Sequence, residues 1–301
     1  MPKHILLPLI FVTLYGSGFV GAKLGLPYAS PLTFLAWRFA CSCILLFAIA
    51  ILMRSPWPHK LKDIGHIMIA GIFMQATFSA GVFEAIHLGI SPAVSALIIA
   101  LQPILVALGA GPILGETVFL RQWLGLLLGL VGVALVVSQN MSFSHAHVVG
   151  IMMAIIGLLG LTAGNLYQKR FCSSMNIFTG GVIQSIAAFT VVLIGATAFE
   201  SMTIIWSGQF LFALTWMTVV VSIGAVSLLY VLIRQGDVSQ VASIFYLVPV
   251  STALLSFIIY QQTIDDVGIL GMIITALGII LVNKKRSRDN ERLVGALWKS
   301  P

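Results

Sequence analysis

Two ionisable side chains stand inside long apolar runs, and chemistry is sought there first. Arg38 sits in Trp37-Arg38-Phe39, and Glu84 sits in Val82-Phe83-Glu84-Ala85. An ionised group in hydrocarbon costs about 2.5–3.5 kcal/mol on insertion scales, so it marks a functional candidate. At 1.5 Å per residue the two lie roughly 10 and 6 Å from the same end of their runs, so they could meet. One reading is a buried ion pair that ties two helices together. The other is a cavity in which Arg38 binds a charged group of a ligand and Glu84 carries a proton. A third, for Arg38, is snorkelling at the lipid edge.

Other polar groups recur within apolar runs: Gln75, Asn165, Gln184 and Tyr230. Pro103 and Pro249 fall near mid-run, with Ser95, Gln102, Ser243 and Tyr246 close by. A proline there frees a carbonyl and bends the helix, which is tolerated where the site is buried in protein or lines a cavity. Tyr15, Phe19 and Phe78 are aromatic candidates for a cavity wall, as are Trp37 and Phe83. Enzyme motifs are missing: there is no His-Glu-x-x-His pattern, no phosphate-binding loop and no Gly-x-Ser-x-Gly turn. The histidines are scattered, and Cys41, Cys43 and Cys172 lack ligand spacing. The expectation is a non-enzyme with no catalytic residue, no metal site and no cofactor.

The elements that must position these residues follow from composition. Of 301 residues, 59% are hydrophobic and 8% charged, with a mean hydropathy of +1.07. A soluble chain could not hide that much apolar surface, so a polytopic membrane protein is expected, with the bilayer as its partner. Apolar runs of spanning length fall at about 5–24, 31–53, 64–87, 91–113, 122–138, 147–168, 177–199, 209–233, 239–260 and 267–283, given that a span needs about 20 residues. Ten helices are expected. The first run could pass for a signal peptide, but its repeat partner lies mid-chain, so retention is expected.

That partner exists because the chain repeats with a period of 146: Gly18 and Lys23 recur at Gly164 and Lys169, Thr33 at Thr179, Leu101 and Pro103 at Leu247 and Pro249, Gly132 at Gly278. The expected division is one unit over 1–140, a second over 147–286 and a basic tail over 287–301. Basic residues concentrate on one side: Lys3, Arg54, Lys60, Lys62, Arg121, Lys169, Arg170, Arg234 and the tail. That places both termini in the cytoplasm and explains the net charge of +7 without nucleic acid. Five helices per unit then turn the second unit upside down. Inverted repeats of this kind are found in secondary transporters, with the ligand between the halves near the midplane. Arg38 maps to Gln184 and Glu84 to Tyr230, so the halves differ chemically. Gly125, Gly129 and Gly132 face Gly271, Thr275 and Gly278 in register, a pattern for close packing within the chain or in a weak homodimer. Lys23 and Lys169 read as interface anchors or as gate residues.

The residues also carry a family likeness. Tyr15-Gly16-Ser17 with Phe19 and Lys23, Trp37-Arg38-Phe39, Ser95-Ala96-Leu97 through Gln102-Pro103, Leu114-Gly115-Glu116-Thr117 and Tyr246-Leu247-Val248-Pro249 together resemble the drug/metabolite transporter superfamily in its ten-helix EamA-repeat form. The family often has Trp at the place of Tyr15, and it repeats Gly-Glu where this chain has Gln261-Gln262. The second departure weakens a symmetric role for Glu116. The resemblance implies a central cavity lined by helices 1, 3, 4, 6, 8 and 9 and working by alternating access. It also implies export of small metabolites such as amino acids from the inner (plasma) membrane of a bacterial-type cell, with protons as the candidate coupling ion. Drugs or nucleotide-linked compounds are the alternative cargo, and a passive channel or scaffold is the alternative class.

Overall fold

The computed structural model describes residues 3–115, 118–137, 145–235, 238–260 and 266–283. Glu116, Gln261, Gln262 and the basic tail lie outside the described residues. Ten helical elements follow one another: α1 Lys3–Gly25, α2 Pro31–Leu52, α3 Leu61–His87, α4 Pro92–Leu114, α5 Leu120–Val137, α6 His145–Phe171, α7 Ile177–Phe199, α8 Gly208–Arg234, α9 Val241–Ile259 and α10 Asp266–Asn283. Eight of them, α1–α4 and α6–α9, are long and apolar enough to cross a membrane; α5 and α10 hold shorter apolar stretches. Apart from helix, the described residues hold one isolated antiparallel bridge, Ala29 to Ile204.

Several helix starts are set by a polar group placed to meet free backbone N–H groups. Ser91 caps α4 ahead of Pro92, Asn176 caps α7 and Ser207 caps α8. For α2 the cap comes from elsewhere in the chain. The Glu200 carboxylate accepts from the N–H of Leu32 and Thr33 at 2.8 and 2.7 Å, and from the Thr33 hydroxyl at 2.6 Å. A negative charge at a helix N-terminus also opposes the helix dipole. This cap and the Ala29–Ile204 bridge pin the α1–α2 and α7–α8 connections together.

Two kinds of irregularity interrupt the helices. α4 breaks at Ala100-Leu101, and α9 tightens into a 3-10 turn at Ile244–Tyr246, in each case just ahead of the repeated proline. The kinks expected from Pro103 and Pro249 are therefore present. The second kind has no sequence signal: π-helical turns at Ile72–Thr77 in α3 and Met217–Ala225 in α8. A step of 146 carries 72–77 onto 218–223, inside the second segment. Such wide turns are uncommon and gather at functional sites.

Packing is inside-out relative to a soluble protein. Ile44, Ile194, Ile258 and Ile280 are exposed, while Arg38, Gln75, Gln102, Gln168 and Gln184 are buried. Interior aromatic rings pack in two groups, Phe11, Tyr15 and Phe245 in one and Phe34 and Phe210, edge to face at 5.5 Å, in the other. α5 and α10 touch backbone to backbone: a Cβ on Gly278 would lie 2.6 Å from the Gly129 nitrogen and 2.7 Å from the Gly125 oxygen. The small residues of these helices are thus used within the chain. Replacing Gly278 by Val is expected to lower stability by about 1–3 kcal/mol through forced separation of α5 and α10. Thermal unfolding in detergent checks this; Gly65→Ala, where nothing lies within 4 Å, serves as the control. An unchanged midpoint for Gly278→Val would refute the close approach.

Candidate functional site

The two π segments face one cavity. Tyr15, Gly18 and Phe19 of α1, Arg38 of α2, Met74, Gln75, Phe78, Ser79, Val82 and Phe83 of α3, Leu161 of α6, and Met217, Val221, Ser222, Val226, Leu229 and Tyr230 of α8 line it. The space between these atoms is about 600 Å³ including its open mouth, and its core is narrow. Both halves of the chain contribute wall.

Arg38 is 5% exposed, and its Nε donates to Ser222 Oγ at 2.8 Å. The second polar feature is a neutral network. Gln75 Nε2 donates to Tyr230 Oη at 3.2 Å and lies 3.5 Å from Gln184 Oε1. Tyr230 Oη donates to Gln184 Oε1, and Gln184 Nε2 donates to Gln168 Oε1 at 2.9 Å. The two features are related by the repeat. Arg38 on α2 reaches the π segment of α8; Gln184, its equivalent on α7, reaches the π segment of α3. Both are contacts from the second helix of one half to the π segment of the other, charged in one case and neutral in the other.

Of the residues singled out from sequence, Tyr15, Phe19, Arg38, Gln75, Phe78 and Tyr230 lie on the cavity wall, and Gln184 touches it through the network. Glu84 is half-buried toward the end of α3 and lies off the wall. Arg38 and Glu84 form no ion pair; Arg38 turns to α8 instead. Asn165, Ser95, Gln102, Pro103, Ser243, Tyr246 and Pro249 are all buried, yet none is on this wall. The reason is visible at Tyr246, whose ring packs against Gly129 of α5 among Ala100, Ala107, Leu126 and Val282. The break in α9 turns its bulk toward α5 and α10. Ser95 Oγ, both amide atoms of Gln102, Asn165 Oδ1 and Tyr246 Oη are enclosed without a partner among the described residues.

Ser222, Ser79, Gln168 and Met217 escaped the sequence reading. A serine in an apolar run is a weak signal, and only the π turn aims Ser222 at Arg38. A smaller hollow of about 260 Å³ shares Tyr230 with the cavity. It shares Cys172, Met175 and Arg234 with a third hollow of about 880 Å³, counted with its mouth, which opens beside Pro56, Asp63 and Asn176. The glutamine–tyrosine network thus stands between the central cavity and one end of the bundle.

A helical bundle with an apolar exterior, membrane-length helices and buried polar side chains is a multi-pass membrane protein. The chain belongs to the EamA-like transporter family, whose profile matches it twice, over residues 2–138 and 148–284. It is similar to the uncharacterized transporter YvbV of Bacillus subtilis, at 26% identity over 97% of this chain and 95% of that one. It is also similar to a protein of Escherichia coli named as a probable amino-acid metabolite efflux pump, at 22% identity over 93% and 94% of the two chains. One solved crystal structure superposes with a TM-score of 0.76 at 17% identity, covering 92% of this chain and 96% of its own, a likeness of fold.

Tyr230→Phe removes the hydroxyl that joins Gln75 to Gln184. Burying the two amides without it is expected to cost about 1–3 kcal/mol. Thermal unfolding checks the loss, with Thr203→Ala, whose hydroxyl meets Ser201 at the surface, expected to change little.

Proposed function

We propose that the protein is a secondary active transporter that exports small metabolites, amino acids among them, by alternating access through the central cavity. In this reading ten helices cross the membrane as two inverted five-helix units, 1–140 and 147–286, with both termini and the tail 287–301 in the cytoplasm. The membrane is the inner (plasma) membrane. The observation that carries the reading is a cavity walled by both units, with Arg38 of one bound to Ser222 of the other. A site between inverted repeats can be opened to either side by rocking one unit on the other.

Further features support the topology. Lys169 donates to the Ile233 carbonyl at 2.8 Å, Arg170 donates to the Ile113 carbonyl, and Thr179 donates to the Pro56 carbonyl at 2.9 Å. These bonds gather helix ends that carry most of the basic residues, as cytoplasmic ends do. The small residues of α5 and α10 are used up inside the chain, which favours a monomer. The amino-acid cargo rests on what two relatives, from Escherichia coli and Salmonella typhimurium, are named to export. Arg38 is the candidate reader of the cargo carboxylate. Protons are the proposed coupling ion and Glu84 the candidate carrier.

Counterflow in proteoliposomes tests the class: preloaded substrate accelerates uptake through a carrier and does nothing for a pore. Glu84→Gln is expected to keep counterflow and lose its stimulation by a pH gradient. Undiminished gradient-driven transport in that variant removes the proton role.

A further inference from the structure

Among its described lining residues the cavity has one charge and no counter-charge. Arg38 is the only charged residue on its wall, with no Asp or Glu among the described lining residues. Its Nε is held by Ser222, while its terminal amino groups make no hydrogen bond to any described residue and are not sealed off in the interior. A buried guanidinium without an anion is costly, and the arrangement closes only when something negative arrives. The planar fork of these two groups suits a carboxylate or similar oxyanion held by paired hydrogen bonds. The Tyr15 and Ser79 hydroxyls are on the same wall, also without a described partner and also not enclosed. The rest of the wall is apolar, with Phe19, Phe78, Phe83 and Met217 prominent.

Resting on the transporter reading above, we infer that the cavity takes an organic monoanion with an apolar or aromatic body, in preference to a zwitterion or cation of the same body. The anion is neutralised by Arg38, and the body lies against the aromatic wall. An ammonium group entering this space finds no carboxylate and meets a guanidinium, so it loses its hydration without compensation. Among carboxylated metabolites, those without a free amine fit best.

Four probes with similar rings test this on the purified chain in detergent: 3-phenylpropanoate, 4-toluenesulfonate, phenylalanine and 2-phenylethylammonium. The two anions are expected to raise the thermal midpoint. Phenylalanine should need about tenfold higher concentration or more for the same shift. The amine should do nothing. Arg38→Gln is expected to abolish the anion effect, and Arg38→Lys to restore part of it. The inference is overturned if phenylalanine or the amine matches the anions, if the anions stabilise Arg38→Gln equally, or if no probe shifts the midpoint. The ranking on the unaltered chain needs no variant, so a misfolded Arg38→Gln leaves the test decisive. Counterflow separates the two readings, with 4-toluenesulfonate as the anion because it does not cross lipid as a neutral acid. Counterflow of phenylalanine without the sulfonate overturns the monoanion assignment and leaves the transporter reading standing. Anion binding with no counterflow of any probe removes the transporter reading and sustains the anion site.

Discussion

A guanidinium in the middle of an apolar bundle must be compensated or it destabilises everything packed around it. Arg38 makes one hydrogen bond, to Ser222 on the opposite half of the chain. That bond depends on the π turn of α8, which presents Ser222 to the cavity. The turn packs against α1 and α2. Glu200, in the α7–α8 connection, caps α2 from the other half of the chain. The same rule governs the neutral side, where the buried Gln75, Gln168, Gln184 and Tyr230 satisfy one another.

The duplication explains why both features exist. In each unit the second helix reaches the third helix of the other: Arg38 meets Ser222, and Gln184 meets Gln75. Identical halves would give two end states of equal energy, open to either side with equal ease. Under the proposed alternating access, Arg38 at the position equivalent to Gln184 breaks that degeneracy, since only one of the two contacts is charged. In that proposal the two directions are told apart by the difference between the halves, not by their likeness.

Much of this was legible in the sequence, and the gaps have physical causes. Spans, repeat and small-residue packing follow from local hydrophobicity and periodicity. Arg38, Gln75 and Tyr230 were visible because polar groups in apolar runs are costly wherever they point. The prolines were visible as breaks, but their place in the fold was not. Pro103 and Pro249 mark where α4 and α9 bend, yet the bend carries Tyr246 toward Gly129 and away from the cavity wall. Depth along a helix likewise left Arg38 and Glu84 able to meet, while in the fold Arg38 turns to Ser222 instead. Rotation is set by packing, which one sequence does not display. The π turns are the clearest case, since they widen a helix by one residue without any residue type that demands it.

Charge also bears on direction. A bilayer with a negative interior pushes an anion outward, so a site built around one uncompensated cation suits export more naturally than uptake. Import of the same cargo would run against the potential and would need a coupling ion on the cavity wall to offset the charge. Among the described lining residues there is no carboxylate for such an ion, and Glu84 lies off the wall. Under the proposed anion site, the one charge among the described lining residues, Arg38, thus bears on the sign of the cargo and the sense of its movement together.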